Sequence, residues 1–153
     1  MKAATFEQKA AQQTVFERML DLAKELDLPV SVHSRDSMDA VLMTLKKKEM
    51  RRVHLHFFEG NVFQAKEAES RGYMISIPPI DSAKRRLVAK DVSIEMLMAE
   101  SDCPVVGESP ALVEKSIRMI AEMKGMVFEK AAETLTLNTK KFFNITKPAM
   151  MRA

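Results

Sequence analysis

Short apolar runs and longer amphipathic segments alternate along the chain. Residues 5–26 carry apolar side chains three or four positions apart among Glu, Gln and Lys, which predicts an amphipathic helix. Pro29 cannot continue that helix, and the run at 30–32 predicts a strand. The same reading predicts three more strands, at 53–58, 73–77 and 96–100. Helices are predicted at 38–45, 62–68 and 83–88. After a loop at 102–110, a helix is predicted up to about residue 124, and a last one at 129–143.

The spacing of the strands indicates how the sheet is built. They begin near positions 29, 52, 73 and 96, about one βα unit apart, and each is nearly continuous in apolar residues. Strands covered on both faces have this composition, so the sheet is expected to be parallel. Such units fit a doubly wound sheet or part of a (β/α)8 barrel, and a whole barrel takes about 250 residues. The 153 residues therefore predict one α/β domain over 1–153 with four βα units, which is as many as half of a barrel contains, and the choice between the two architectures stays open at this point.

Composition excludes some classes of protein and leaves the substrate open. The chain has 46% hydrophobic and 29% charged residues, as soluble globular proteins do, and no apolar run long enough to span a membrane. The start lacks the apolar region of a signal peptide, so we expect a cytoplasmic protein without a membrane partner. The single Cys103 excludes an internal disulfide and a multi-cysteine zinc site. A net charge of +3 is weak support for general attraction to nucleic acid.

Potential metal ligands follow three of the four predicted strands. His33 follows the first, His56 the second and Asp102 the fourth. The carboxyl ends of parallel strands meet at one edge, so these side chains are expected to converge where α/β folds keep their chemistry. Two imidazoles and a carboxylate suit Zn, Mn, Fe or similar divalent ions. The alternative is that each histidine is an ordinary hydrogen-bonded residue of the core or surface.

Several neighbouring residues allow two interpretations each. His54 lies two positions before His56 and faces the same way, but deeper in the strand, which favours a structural role. Arg35 either holds an anionic substrate or pairs with a nearby carboxylate, Asp36 or Glu100. Glu100 either orients a metal ligand or is an ordinary strand-end carboxylate. For Cys103 we expect a packing role.

A family resemblance extends over residues 6–145. It is carried by His33-Ser34-Arg35-Asp36 after Leu28-Pro29-Val30, by His56-Phe57-Phe58-Glu59-Gly60, similar to H-C-F-S-G, and by Glu100-Ser101-Asp102-Cys103-Pro104, similar to E-T-D-A-P. In order and spacing the sequence resembles the C-terminal half of the TatD family of metal-dependent hydrolases, which are amidohydrolase-like (β/α)8 barrels.

The resemblance implies an activity and roles for the site residues. His33 and His56 correspond to the two histidines that bind one metal, and Asp102 to the aspartate that binds the other and activates water. The implied protein is a deoxyribonuclease of the 3′–5′ exonuclease kind, which uses divalent ions (Mg, Mn or Zn; two per complete site) to cleave DNA or another phosphodiester. Arg35 and Glu100 would contact substrate or support the ligands.

The resemblance also implies that part of the site is absent from this chain. The family's H-x-H pair and its bridging Glu come earlier in the fold than the first matched residue. Residues 107–110 also differ from the family, because they stand where it has an R-x-N-E-P-like stretch. The alternative function is therefore an inactive fragment, or a scaffold or binding protein.

A half barrel would also leave strands 30–32 and 97–99 unpaired and expose inward side chains. We therefore expect association, as a homo-oligomer or with a separately encoded N-terminal half.

Overall fold

The computed structural model describes residues 5–145, which form six α-helices around a four-stranded sheet. The domain predicted over 1–153 also includes 1–4 and 146–153, which lie outside the described residues. Two short 3-10 helices, Ile94–Met96 and Pro110–Leu112, precede β4 and α5. The elements in chain order are α1 (Phe6–Glu25), β1 (Val30–His33), α2 (Met38–Lys47), β2 (Val53–His56), α3 (Val62–Ser70), β3 (Met74–Ile77), α4 (Ala83–Asp91), β4 (Leu97–Ala99), α5 (Val113–Lys124) and α6 (Phe128–Phe142).

All strand neighbours in the sheet are parallel, in the order β1-β2-β3-β4. The predicted alternation of helix and strand is confirmed, while five strand ends differ from the prediction by one or two residues. Three of these are the end of β1 at 33 instead of 32, the start of β3 at 74 instead of 73, and the end of β4 at 99 instead of 100. β2 stops at His56 rather than at 58, because Phe57 has a φ of +50°, which a strand cannot accommodate. β4 begins at Leu97 rather than at 96, because the preceding three residues form a 3-10 helix.

Local sequence sets where most helices begin and end. Thr5 and Asn61 cap α1 and α3, and each completes a capping box with the Gln three residues later. At the other ends, left-handed residues follow five of the six helices, a conformation that closes the last turn. These residues are Asp27, Glu49, Gly72, Gly125 and Asn144.

The hydrophobic core lies between one face of the sheet and the helices. Val53, Leu55, Ile75, Ile77 and Leu97 are completely buried there. They pack with apolar side chains from the helices, which are Leu20, Leu42, Leu45, Ala65, Ala68, Val88, Ala89, Ile120 and Leu135. Because strand side chains alternate, the polar and potentially catalytic residues of the strands occupy the opposite face.

That opposite face is covered along β3 and β4, while Ser31 and His33 of β1 are exposed. The expectation that its side chains would be exposed therefore holds at β1 and fails at β3 and β4. Ser76 and Met98 are only 1% and 2% exposed, and His54 is also buried. The rings of Phe142 and Phe143 lie edge-on to His54, with centroid distances of 6.3 and 5.8 Å. The end of α6 therefore contributes to the burial of this face.

The sheet has two ends, β1 and β4, each with one strand neighbour within residues 5–145. This agrees with the strand edges expected at 30–32 and 97–99, while the resulting association stays a prediction. No helix in the described part of the chain is long and apolar enough to cross a membrane.

We expect Asn138→Ala to lower the free energy of unfolding by about 1–3 kcal/mol. Asn138 Nδ2 donates to the carbonyl oxygens of Ile94 (2.7 Å) and Leu97 (2.8 Å) and so attaches α6 to the start of β4. Urea denaturation followed by circular dichroism measures the change. Thr136→Ala on the exposed face of α6 is the control, with an expected change within about 0.5 kcal/mol. Equal losses in the two variants would contradict this role.

Candidate metal centre

The carboxyl ends of β1, β2 and β4 bring the three predicted ligands to one edge of the sheet. His33 and His56 are register partners on adjacent strands, and their ring centroids are 5.5 Å apart. His56 Nε2 lies 3.2 Å from Asp102 Oδ1, which comes from the turn after β4. The structure thus places imidazoles and a carboxylate together, as the strand spacing predicted.

Glu100 fixes the orientation of His56. Its Oε2 lies 2.5 Å from His56 Nδ1, while its Oε1 accepts a hydrogen bond from the Phe57 backbone N–H at 2.9 Å. Burial raises the pKa of Glu100 above its ordinary value, opposed by the Ser76 hydroxyl and by His56. The arrangement is that of a carboxylate orienting a histidine, and it favours the ligand-orienting interpretation of Glu100.

The turns after the strands of the site have unusual backbone conformations. Asp36, Phe57 and Asp102 have φ values of 53°, 50° and 48°, and none of them follows a helix. Such conformations are unfavourable for these residue types and often occur at functional sites. Phe57 is also anchored at this turn, because its N–H donates to Glu100 and to the Ser76 hydroxyl (3.2 Å).

Phe57 and Arg85 were not predicted as part of the site. The buried Phe57 ring lies 6.0 and 6.1 Å from the His33 and His56 rings. The Arg85 guanidinium sits 5.5 Å from the same ring, and its Nη2 is 3.8 Å from Glu59. The position of Phe57 directly after His56 was the only available signal, and nothing in the sequence near Arg85 indicates this contact.

Arg35 and Cys103 lie at the margins of the site. Among residues 5–145, Arg35 forms no ion pair with Asp36 or Glu100, so the contacts do not support the second of its two interpretations. Its side chain is exposed beside the strand ends, which leaves the substrate-binding interpretation as a prediction. Cys103 is half-buried next to Asp102, and its packing role also stays a prediction.

His54 is buried one step deeper on the same face of the sheet. Its Nδ1 is 2.9 Å from Ser31 Oγ, and its Nε2 has no hydrogen-bond partner within the described range. Burial, together with the nearby His56, lowers the pKa of His54 to about 4. The ring is therefore neutral near pH 7, and these contacts favour the structural role predicted for it.

The described residues do not form a complete metal cage. Within 5–145, no three His, Cys, Asp or Glu side chains are grouped so that they could hold a metal ion by themselves. Imidazole nitrogen and carboxylate oxygen nevertheless suit a divalent ion. Because Glu100 contacts Nδ1 of His56, the nitrogen left for a metal is Nε2, which lies beside the Asp102 carboxylate. The site is therefore a partial set of ligands.

Fold and site together define an α/β protein with histidine and carboxylate ligands at the carboxyl edge of a parallel sheet. Sequence comparison gives the family: the profile of the TatD related DNase family matches residues 2–144. The chain belongs to this family.

Individual relatives support the assignment and show how much of them the chain spans. It is 35% identical over 149 residues to Deoxyribonuclease TATDN3 of Homo sapiens, covering 92% of this chain and 54% of that protein. It is 31% identical to the uncharacterized metal-dependent hydrolase YabD of Bacillus subtilis, with 90% and 59% covered. A crystal structure of YjjV, a TatD homolog from Escherichia coli, matches with a TM-score of 0.85 and 26% identity, covering 95% of this chain and 62% of that one. The chain thus spans little more than half of these relatives.

We expect His54→Ala to destabilise the fold by about 1–3 kcal/mol, because it removes a buried ring and leaves the Ser31 hydroxyl without that partner. His33→Ala, on the exposed end of β1, should cost less than about 0.5 kcal/mol. Urea midpoints of the metal-free proteins give both values. A larger loss for His33→Ala than for His54→Ala would reverse the roles assigned to the two residues.

Proposed function

We propose that the chain is the metal-binding C-terminal part of a divalent-metal-dependent hydrolase that cleaves phosphodiester bonds, a deoxyribonuclease of the 3′–5′ exonuclease kind. The observation that carries the proposal is the position of His56, held by Glu100 on one ring nitrogen and facing Asp102 with the other. The names of relatives, deoxyribonuclease and metal-dependent hydrolase, support the same class. The substrate would be DNA or another phosphodiester, and we expect the protein to act in the cytoplasm.

His33 and His56 would hold one divalent ion and Asp102 would belong to a second, with Mg, Mn and Zn as the candidate metals. When bound, such ions neutralise charge that develops on the phosphate oxygens. Because the described ligands form no three-member group, water or side chains from elsewhere would complete the coordination. In the (β/α)8 barrel that we propose, four βα units come from residues 1–153 and the remaining units lie outside them.

Each residue of the site has a definite task in this proposal. Glu100 accepts a hydrogen bond from the Nδ1–H of His56, which keeps the lone pair of Nε2 directed to the metal side. Asp102 accepts a proton from the attacking water through its carboxylate. Arg35, exposed beside them, binds a phosphate of the substrate through its guanidinium.

A second candidate function, an inactive fragment or a scaffold or binding protein, is favoured by one specific observation. The partial ligand set within 5–145 would not by itself hold two ions. Metal uptake and nuclease assays distinguish the two candidates.

We expect the wild-type chain to bind Co²⁺ or Zn²⁺ with modest affinity and the His33→Ala/His56→Ala double variant to bind at least about tenfold more weakly. The affinity is modest because His33 and His56 are the only two firm protein ligands proposed for this ion. Removing both side chains should therefore abolish specific metal binding. Titration of Co²⁺ followed by visible absorption measures this change. His54→Ala, examined under conditions where it is folded, is the control and should bind as the wild type does. Equal uptake by the double variant and the wild type would refute the site.

We expect Asp102→Asn to reduce phosphodiesterase activity by at least about a hundredfold while leaving the urea midpoint nearly unchanged. An amide has almost the same size as the carboxylate but cannot accept the proton. The assay follows nucleotide release from 3′-labelled DNA with Mn²⁺ present.

Asp36→Asn provides the matched control, because Asp36 is also an aspartate with positive φ at a strand end of this edge. Activity that survives Asp102→Asn would contradict the role of Asp102. A metal-loaded protein that shows no activity, alone or in an assembled barrel, would favour the second candidate.

A further inference from the structure

The guanidinium of Arg85 is nearly buried but has few hydrogen-bond partners. Its side chain is only 12% exposed. Among the described residues, Nε has no partner, Nη1 donates to the Ile80 carbonyl oxygen over 3.5 Å, and Nη2 lies 3.8 Å from Glu59 Oε1. A guanidinium has five N–H donors, and 3.8 Å is too long for a hydrogen bond. Because burying a cation costs free energy unless it is paired, Arg85 has donors left for a further anion.

The next residue shows how a well-paired arginine is bound on the same helix. Arg86 Nε and Nη2 donate to the two carboxylate oxygens of Asp81 at 2.7 and 2.8 Å, and Nη1 donates to Glu122 at 2.8 Å. The side chain of Arg86 is 34% exposed, so it is also closer to water than that of Arg85. The more buried of the two arginines is therefore the less well paired.

The ring of Phe57 holds the Arg85 guanidinium beside the candidate metal centre. Cζ of Arg85 lies 5.5 Å from the centre of the ring, and the same ring lies 6.0 and 6.1 Å from the rings of His33 and His56. Attraction between a cation and an aromatic ring leaves the N–H donors of a guanidinium available for other partners. Arg85 thus lies one aromatic ring away from the proposed metal ligands.

The surroundings of Arg85 come from the interior of the sheet. Phe57 and Glu59 belong to the loop after β2, and Ile80 belongs to the loop after β3. Each of these two strands has a strand neighbour on both sides within residues 5–145. The weak pairing of Arg85 is therefore a property of this part of the chain and not of an edge of the sheet.

Glu59 is the one carboxylate within 4 Å of Arg85 in the described part of the chain, and it is loosely held. Its side chain is 35% exposed and borders a polar cavity of about 550 Å³, which Asp36, Asp39 and Lys84 also line. Lys84 Nζ donates to the backbone carbonyl oxygen of Glu59 (2.5 Å) and not to its carboxylate. A carboxylate with room to move and no hydrogen bond to the cation can be displaced by another anion.

We infer that Arg85 binds a phosphate group of the nucleic-acid substrate, and that Glu59 occupies this place when no substrate is bound. The inference rests on the proposed function for the class of substrate. A phosphate matches the planar guanidinium in charge and shape, because two parallel N–H···O bonds can form. A nucleic-acid strand carries a charge at every nucleotide, so a strand with one phosphate at the metal ligands has others close by. Arg85 binds one of these, separate from the phosphate assigned to Arg35.

The test measures binding to the full chain in EDTA, so that it does not depend on metal or catalysis. The probes are a thymidine tetranucleotide and inorganic phosphate, titrated by NMR while the Nε–H signal of Arg85 is followed, assigned by its absence in Arg85→Lys. We expect the tetranucleotide to shift this signal. Arg85→Gln should weaken tetranucleotide binding at least about tenfold, because it removes charge-assisted hydrogen bonds. Glu59→Gln should tighten binding about threefold, because it removes the competing charge.

Arg86→Gln is the matched control, because it removes the neighbouring arginine, whose donors are already paired with Asp81 and Glu122. It should change the dissociation constant less than about twofold. An unshifted Arg85 signal, equal weakening by both arginine variants, or weaker binding by Glu59→Gln would overturn the inference. A signal shifted by inorganic phosphate but not by the tetranucleotide would indicate a site for free phosphate and overturn it as well. Absence of nuclease activity or of Co²⁺ binding would count against the proposed function and leave these binding results unchanged.

Discussion

The site depends on one buried carboxylate. Glu100 lies at the end of β4 and reaches across to the end of β2, where it contacts the His56 ring and the backbone N–H of Phe57. Burying a carboxylate costs free energy unless its oxygens have hydrogen-bond partners. The ring of His56, the N–H of Phe57 and the hydroxyl of Ser76 are the partners of Glu100. The same contacts determine which nitrogen of His56 faces Asp102. Without Glu100 the ring would lose its partner at Nδ1 and keep only the contact of Nε2 with Asp102, although the sheet would still place His56 at the same edge.

The strained turns explain how side chains from different strands meet. A strand directs alternate residues to opposite faces, so residues directly after it would continue that alternation. The positive φ of Phe57, directly after β2, ends the strand pattern there, and Asp36 and Asp102 with the same conformation lie three residues beyond the ends of β1 and β4. Five other left-handed residues follow helices and have an ordinary explanation in helix termination. Phe57 and Asp102 lie at the site instead, and Asp36 lies in the turn that follows His33.

The sequence predicted the order of elements because apolar periodicity and Pro, Gly and Asn signals are local properties. His33, His56 and Asp102 could be found for a related reason, since a parallel sheet brings all its carboxyl ends to one edge. The contacts of Phe57 with Arg85 and of Phe142 with His54 could not be found, because they join residues 28 and 88 positions apart whose side chains carry no shared pattern. The prediction placed the end of β2 two residues too late and the start of β4 one residue too early. These ends are determined by the positive φ of Phe57 and by the 3-10 helix at 94–96, neither of which the apolar pattern indicates.

His33 belongs both to the site and to the open edge of β1. Its ring lies beside His56, while its backbone belongs to an end strand of the sheet. Because β1 has one strand neighbour within residues 5–145 and β2 has two, His33 stands on the less restrained of the two strands. The His56 ring is in addition oriented by Glu100, so the two histidines of the site are held by different means.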